Sequence, residues 1–443
     1  MENLLEKIIR LELEHDGLDM EIVKKKNVKL GLRNLNGKGV VAGITSKGQV
    51  LGYGKNEKGQ DVAIPGQLIY CGYNVKDIVE NVEQDNRFGF EETAYMLLTG
   101  ELPTVEDLEG FSAELSSRRA LPETAKKILQ FTSKNDDQMG ALHGVVSSLH
   151  RFDKNPKSTD ISDVTSQCVD LIAKFPTIIA YNYNVNCVGE DEEPMLLEPD
   201  PALSTAENFL YMLNGKIPDK EAAAIFDIAL ILHAEHGGGN NSTFSVRTVS
   251  STQTDTYMAI CAGIASLSGY LHGGASEAVI DMMDDMKAKL KDWTDDKEIS
   301  AYLTDVLDKK QHDGSGKIYG MGHAVYTVSD PREPILKKKA YMLAERAGRL
   351  DEYHLYDKVS KLAVGIINKK KGKKVCPNVD FYSGFVYSML GIPKELYTPI
   401  FAMARVTGWA AHRIEEILQG RLMRPSYISS LSGSSSYVPL QNR

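Results

Sequence analysis

Residues 218–239 read PDKEAAAIFDIALILHAEHGGG. Pro218 stands at the start of a helix, and Ile228, Ala229, Leu230, Ile231 and Leu232 form an unbroken apolar run. A helix with no polar stripe has no face left for water, so this one is buried all round by other elements. Three glycines, Gly237, Gly238 and Gly239, end it. Outward from this stretch the pattern stays almost wholly helical. Upstream, Ser204 with Glu207 forms a capping box, Ala206, Phe209, Leu210 and Leu213 recur at helical spacing, and Gly215 closes the segment. Thr104 with Asp107 forms a second box after Pro103. Downstream, residues 258–269 (MAICAGIASLSG) are rich in Ala, Gly and Ser and suit a tight internal or subunit interface. Thr398 and Pro399 read as N-cap and first helical residue of a long helix reaching about Leu418. Residues 284–313 are highly charged with a helical pattern.

The ends differ. Residues 1–35 read as a charged helix followed by a basic stretch at 24–29. A short β-like region follows, with Val40, Val41, Ile44, Val50 and Leu51 flanking a turn at Lys47-Gly48, and 68–73 as a second strand. The Ser-rich tail 429–443 reads as an extended surface segment. A chain of 443 residues exceeds one hydrophobic core and implies two domains. The net charge of −9 argues against a general nucleic-acid binder, which needs a basic face. The five cysteines, Cys71, Cys168, Cys187, Cys261 and Cys376, are scattered without CxxC spacing, which points to a reducing cytoplasm and away from a disulfide framework or zinc site. The acidic N-terminus is neither a signal nor a transit peptide, and no stretch is long and apolar enough to span a membrane.

Several motifs fail on inspection. GMGHAV at 320–325 lacks the third glycine of a dinucleotide fingerprint, and Gly316-Lys317 has Gln311 where a phosphate loop needs glycine. His233 and His236 could share a helix face as a zinc pair but have no evident third ligand. Three segments carry chemistry instead: LHGGA around His272, GMGHAVYTVSDPR with His323 and Arg332, and PNVDFYSG with Asp380 at a helix start. A lone histidine is more often structural, and an Asp in a first helical turn is more often a cap. Flanking glycines change the weighting, because they let the backbone approach a ligand and leave the imidazole open to it. A partly desolvated Asp can serve as a base.

In order and spacing, LHAEHGGGNNST, GYLHGGASEAV, GMGHAVYTVSDPRE, PNVDFYSGFVYSMLGIP and FAMARVTGWAAHRIEE resemble the signature blocks of the citrate synthase family, and the likeness runs over residues 36–443. The resemblance implies a mainly α, two-domain citrate-synthase-like fold with a small N-terminal β element. The large domain would comprise 1–275 and 390–443, with a small domain inserted at 276–389 on the coenzyme A side of the cleft. It implies condensation of acetyl-CoA with oxaloacetate and water to citrate and CoA. The alternative within the same chemistry is a 2-methylcitrate synthase using propionyl-CoA; a non-catalytic metabolite-binding homologue is the third reading.

Residue by residue, the resemblance makes His272 the donor to the thioester carbonyl, Asp380 the base that removes the α-proton, and His323 the donor that polarises the ketone. His236, Arg332, Arg405 and Arg424 would hold oxaloacetate, Arg424 reaching in from a second subunit of a homodimer with shared sites. Lys317, Ile318, Tyr319, Gly320, Met321 and Gly322 would meet the adenine of CoA. The resemblance implies no metal and no cofactor beyond the CoA thioester, which is a substrate. Gly237, Ala324 and Thr327 depart from residues common in the family at those positions, and 138–146 departs from its usual pattern around Met139; none of the three catalytic groups is among them. The run NKKKGKK at 368–374 is either a holder of CoA phosphates or a solvated charged turn.

The physics suits these roles. A thioester α-proton is a very weak acid, so its removal needs a base and a donor aimed at the developing enolate oxygen. Two carboxylates on one substrate match guanidinium forks. An enolate must meet the ketone before it meets water, which favours a cleft that closes between domains.

Overall fold

The computed structural model describes residues 3–15, 19–132, 137–188, 193–429 and 436–443. Parts of the N-terminal and tail readings, residues 1, 2, 16–18 and 430–435, lie outside these. The chain falls into two compact units, Thr45–Leu422 and one formed by Met1–Ile44 with Met423–Arg443. The small domain expected at 276–389 lies wholly inside the first.

The Thr45–Leu422 unit is mainly α. Helix Lys220–His233 is capped by Asp219, whose carboxylate accepts from the Ala222 N–H at 3.0 Å. It is buried from Ile225 to His233, as its apolar run requires. One charged residue within it, Asp227, is also fully buried. Its carboxylate accepts from the N–H groups of Gly89 (2.7 Å) and Phe90 (3.2 Å) at the start of helix Phe90–Thr99. Gly89 has no side chain to cap with, so a neighbouring helix supplies the cap. At the other end of the same helix the Lys47 ammonium donates to the Leu98 carbonyl at 3.1 Å. Both ends of the helix therefore have open backbone groups met by side chains from elsewhere in the fold.

Helices Ile161–Asn186 and Tyr397–Gln419 form the centre of the unit, packed against each other and, for the latter, against Asn241–Ser250 and Thr256–Ser268. Gly263 permits the last of these approaches, since a Cβ there would stand 3.0 Å from the buried Trp409 ring. The capping boxes at Thr104 and Ser204 form, and Gly215 closes helix Thr205–Asn214 in the left-handed conformation.

Two expectations are corrected. The long C-terminal helix begins at Tyr397, one residue before Thr398, after a 3₁₀ turn over Lys394–Leu396. The Thr398 hydroxyl is directed to the Gly273 carbonyl (3.1 Å) and Glu277 (2.9 Å) instead of capping its own helix. The β element is an antiparallel sheet of Gly48–Lys55, Asp61–Tyr70 and Tyr73–Asn74. Its hairpin turns at 56–60, where the Asn56 side chain accepts from the Lys58 and Gln60 N–H groups (3.0 and 2.9 Å), not at Lys47-Gly48. Val40, Val41 and Ile44 are outside it. Two glycines of this sheet position the site. A Cβ on Gly52 would stand 2.5 Å from the Val325 carbonyl oxygen, and one on Gly66 2.2 Å from that of Ser329. The bare backbone lets the loop after His323 lie against the sheet, and Gly66 donates its N–H to Ser329 O at 3.1 Å.

In the other unit, helices Leu4–His15 and Met20–Lys25 form the charged N-terminal helix as two pieces, and the described part of the tail, 436–443, contains a 3₁₀ turn at Leu440–Asn442 where an extended segment was expected.

Candidate active site

Loop 317–322 and the start of helix Val379–Met389 are stitched together. Gly320 O accepts from the Asn378 N–H (2.9 Å), Gly322 N–H donates to Cys376 O (2.8 Å), and the Asn378 amide donates to Gly322 O (2.8 Å). Gly320 has φ +74°, and a Cβ there would sit 2.7 Å from the Phe381 ring, so only glycine allows this contact. The stitching brings His323, at the end of the loop, towards Asp380 in the first turn of the helix.

The His323 imidazole lies between two neighbours. Its ring stacks on Tyr326 with centroids 4.5 Å apart and meets His236 edge-on at 5.0 Å. Its Nδ1 lies 3.0 Å from the Val325 N–H and 3.1 Å from the Tyr326 N–H. Backbone N–H groups can only donate, so Nδ1 accepts and Nε2 carries the proton. Burial and the nearby Arg332 pull the pKa down to about 4, so the ring is neutral at pH 7 and presents Nε2–H.

His272 follows the same logic with the nitrogens exchanged. Its Nε2 lies 3.3 Å from the Ser242 N–H and 3.0 Å from the Ser242 hydroxyl, which leaves the proton on Nδ1. Ser242 is held in turn by the Trp409 indole N–H at 3.2 Å. Burial and then Arg405 lower His272 to about 4. Gly273 lets the loop turn under the preceding helix, since its Cβ would collide with Leu267 O at 2.1 Å.

Two arginines flank Asp380. Arg332 is buried and forms a two-pronged pair with Asp330, Nε to Oδ1 at 2.9 Å and Nη2 to Oδ2 at 2.7 Å, and Asp330 also accepts from the Val379 N–H at 3.2 Å. Arg405 is fully buried, and its Nε donates to the His233 carbonyl at 2.7 Å. Both Nη1 and Nη2 of Arg405 are buried without a hydrogen-bond partner, as is Nε2 of His236. The two guanidinium nitrogens can only donate, and buried donors of this kind are rare in folded proteins and mark a place suited to an acceptor. Burial lowers Arg405 to about 10, with Glu235 acting in the opposite direction. Burial raises Asp380 to about 6, and Arg332 and Arg405 restrain the rise. Phe401 ties the two halves of the site: its ring lies 4.7 Å from the Arg405 guanidinium carbon and 6.5 Å from the His272 ring centre.

The fold therefore brings His236, His272, His323, Arg332, Arg405 and Asp380 into one connected set. Arg424 belongs to the other unit and is exposed there. Of the lysine run, Lys370 is paired with Asp308 at 2.5 Å and Lys371 donates to Gly316 O at 3.1 Å, whereas Lys373 and Lys374 are exposed. His233 Nδ1 lies 2.7 Å from Ala229 O, and among the described residues no group of three His, Cys, Asp or Glu side chains could hold a metal ion.

Sequence reasoning missed Ser242, Asp330, Phe401 and a buried network behind His236. In that network Glu235 accepts from His412 Nε2 at 3.0 Å and from the Gly237 N–H at 2.5 Å, and Arg247 donates to His412 Nδ1 at 2.9 Å. Only Asp330 had a local signal, its two-residue spacing from Arg332.

Residues 36–426 match the family model described as citrate synthase, C-terminal domain. The chain is 41% identical over 380 residues to a citrate synthase of Deinococcus radiodurans (85% of this chain, 93% of that protein) and 35% identical over 376 residues to a 2-methylcitrate synthase of Shewanella oneidensis (85% and 92%). It superposes with a TM-score of 0.77 and 27% identity on the citrate synthase of Thermoplasma acidophilum solved with carboxymethyl coenzyme A and oxaloacetate, covering 94% of this chain and 99% of that one. With a helical fold, a site assembled from the expected blocks and a match running over most of its length, the chain belongs to the citrate synthase family.

Proposed function

We propose that this enzyme condenses acetyl-CoA with oxaloacetate and releases citrate and CoA after hydrolysis of the thioester. The observation that carries the reading is the pairing of a carboxylate titrating near 6, Asp380, with two neutral imidazoles whose protons are fixed on opposite ring nitrogens. At pH 7 Asp380 is ionised and removes a proton from the methyl group of the thioester. His272 Nδ1–H donates to the carbonyl oxygen as it becomes an enolate oxygen, and His323 Nε2–H polarises the ketone that the enolate carbon attacks. One preorganised donor of this kind contributes on the order of 3–4 kcal/mol to such a step. Arg405, with both Nη groups unpaired, supplies donors for the oxaloacetate carboxylates, with His236 and Arg332 beside it.

Arg424 of the partner subunit completes the carboxylate clamp in a cytoplasmic homodimer, and loop 317–322 meets the adenine of CoA. Residues 276–389 act as the small domain that closes on the large one. No cofactor or metal takes part. The test is release of free thiol by purified protein, run in parallel with acetyl-CoA and propionyl-CoA. Faster turnover of acetyl-CoA supports the reading. Preference for propionyl-CoA moves it to 2-methylcitrate synthesis, since one methylene in a pocket is worth only about 1–3 kcal/mol. No thiol release with either would refute both.

A further inference from the structure

His272 sits in a turn, 269–274, whose first half is exposed. Tyr270 is 61% exposed and Leu271 is 87% exposed. Downstream the turn is anchored, because Gly273 O accepts from the buried Thr398 hydroxyl. Besides its own backbone bonds to Gly269 and the contact of the His272 ring with Ser242, the turn is tied by Tyr270, whose hydroxyl lies 2.7 Å from the Tyr319 hydroxyl. The direction of that bond follows from Asp313. The Tyr319 hydroxyl is bonded to the Asp313 carboxylate. An ionised carboxylate only accepts, so Tyr319 donates to it and its oxygen accepts from Tyr270. The Ser315 N–H donates to Asp313 at 2.9 Å, which fixes the far end of the chain. Lys317 Nζ lies 5.5 Å from the Tyr270 ring centre, in cation–π range, and the Tyr319 ring meets His312 edge-on at 5.8 Å.

These contacts join the turn carrying His272 to loop 317–322, which runs into His323. We propose that Tyr270 is a positioning residue for His272, held by the Tyr319–Asp313 pair, so that the two catalytic imidazoles are set at a fixed separation. The inference rests on the function proposed above. A hydroxyl chain ending on a charged acceptor is stronger than a neutral one, and a donor displaced by a fraction of an ångström loses much of its effect on a transition state. Tyr270 is not itself a catalytic residue, and it acts only on the step that needs the His272 proton.

The test uses the full-length protein and the variants Tyr270→Phe, Tyr319→Phe and the double variant. Both substitutions keep the ring and the backbone. The expected result is a fall in kcat of roughly tenfold for each single variant. The Kd for oxaloacetate and the thermal midpoint should be unchanged, and the double variant should be no slower than the slower single one, because both remove the same bond. A kcat within twofold of wild type, losses that multiply in the double variant, or a loss matched by a lowered midpoint or weaker oxaloacetate binding would each overturn it. Wild-type protein assayed alongside separates the two claims. An active wild type with unaffected variants refutes this inference alone, whereas a wild type that makes no product refutes the proposed function and this inference with it.

Discussion

Replacing Asp380 with Asn should make the protein more stable, and only above a certain pH. In the folded state burial holds the Asp380 carboxyl at about 6, against an ordinary value of 3.8. Because the folded value is the higher one, the native state binds this proton more tightly than the unfolded chain does. The wild type therefore carries no penalty below about pH 3.8, an increasing one between 3.8 and 6, and the full penalty above that. The difference of about two units corresponds to roughly 3 kcal/mol, at about 1.36 kcal/mol per unit. Asn has no charge to desolvate and escapes this cost. With an unfolding entropy of about 2.1 cal/mol/K per residue, a chain of this length gains on the order of 1 °C per kcal/mol, so the variant should melt about 3 °C higher. The assay is the thermal midpoint of both proteins from pH 4 to pH 8. The gain should be near zero at pH 4, about half developed near pH 5 and constant above pH 7. An equal shift at every pH, or a variant less stable than wild type at pH 8, would refute the claim that this carboxylate is held ionised against desolvation.

Further outcomes follow from the same geometry. The kcat/KM for the thioester should fall about tenfold per pH unit below about 6 as Asp380 is protonated, while His272 and His323, at about 4, stay neutral and add no step between pH 6.5 and 8; a steady-state pH profile checks this. Asp330→Ala should lower stability by about 3 kcal/mol, since it leaves the buried Arg332 unpaired, and a denaturant titration would read the loss. Gly320→Ala should cost roughly 1–3 kcal/mol and slow turnover, because the new methyl meets Phe381 at a positive φ; its midpoint and kcat should fall together. Arg424→Ala mixed with Asp380→Asn should regain activity on subunit exchange, since one of the two shared sites in a heterodimer would be intact; absence of rescue despite proven exchange would remove Arg424 from the site.

Helices whose signals are local were legible in the sequence. The Thr104 and Ser204 boxes close within three residues, and the apolar run 228–232 has one environment that satisfies it. The Thr398 cap failed because its hydroxyl is used by Gly273 and Glu277, more than a hundred residues away in sequence. The strand boundaries differ from the reading because the strands run through Gly52 and Gly66, the points where the sheet touches the 325–329 loop, and that contact has no local sequence signal. The histidines and Asp380 stood out because glycine or a helix start flanks each of them. Ser242 and Glu235 did not, since their partners, His272 and His412, are brought to them only by packing of separate helices. Nothing in the residues alone indicated which imidazole nitrogen carries the proton. The backbone N–H groups of Ser242, Val325 and Tyr326 decide that, and they are visible only in the folded chain.

The most direct test of the account compares wild type with Asp380→Asn, given acetyl-CoA and oxaloacetate, with citrate quantified by mass spectrometry and oxaloacetate binding measured by calorimetry. The account predicts that wild type forms citrate in step with free CoA. The variant should bind oxaloacetate with similar affinity and turn over on the order of 10²–10⁴-fold more slowly. A folded wild type that forms no citrate, or a variant that keeps the wild-type rate, would contradict it.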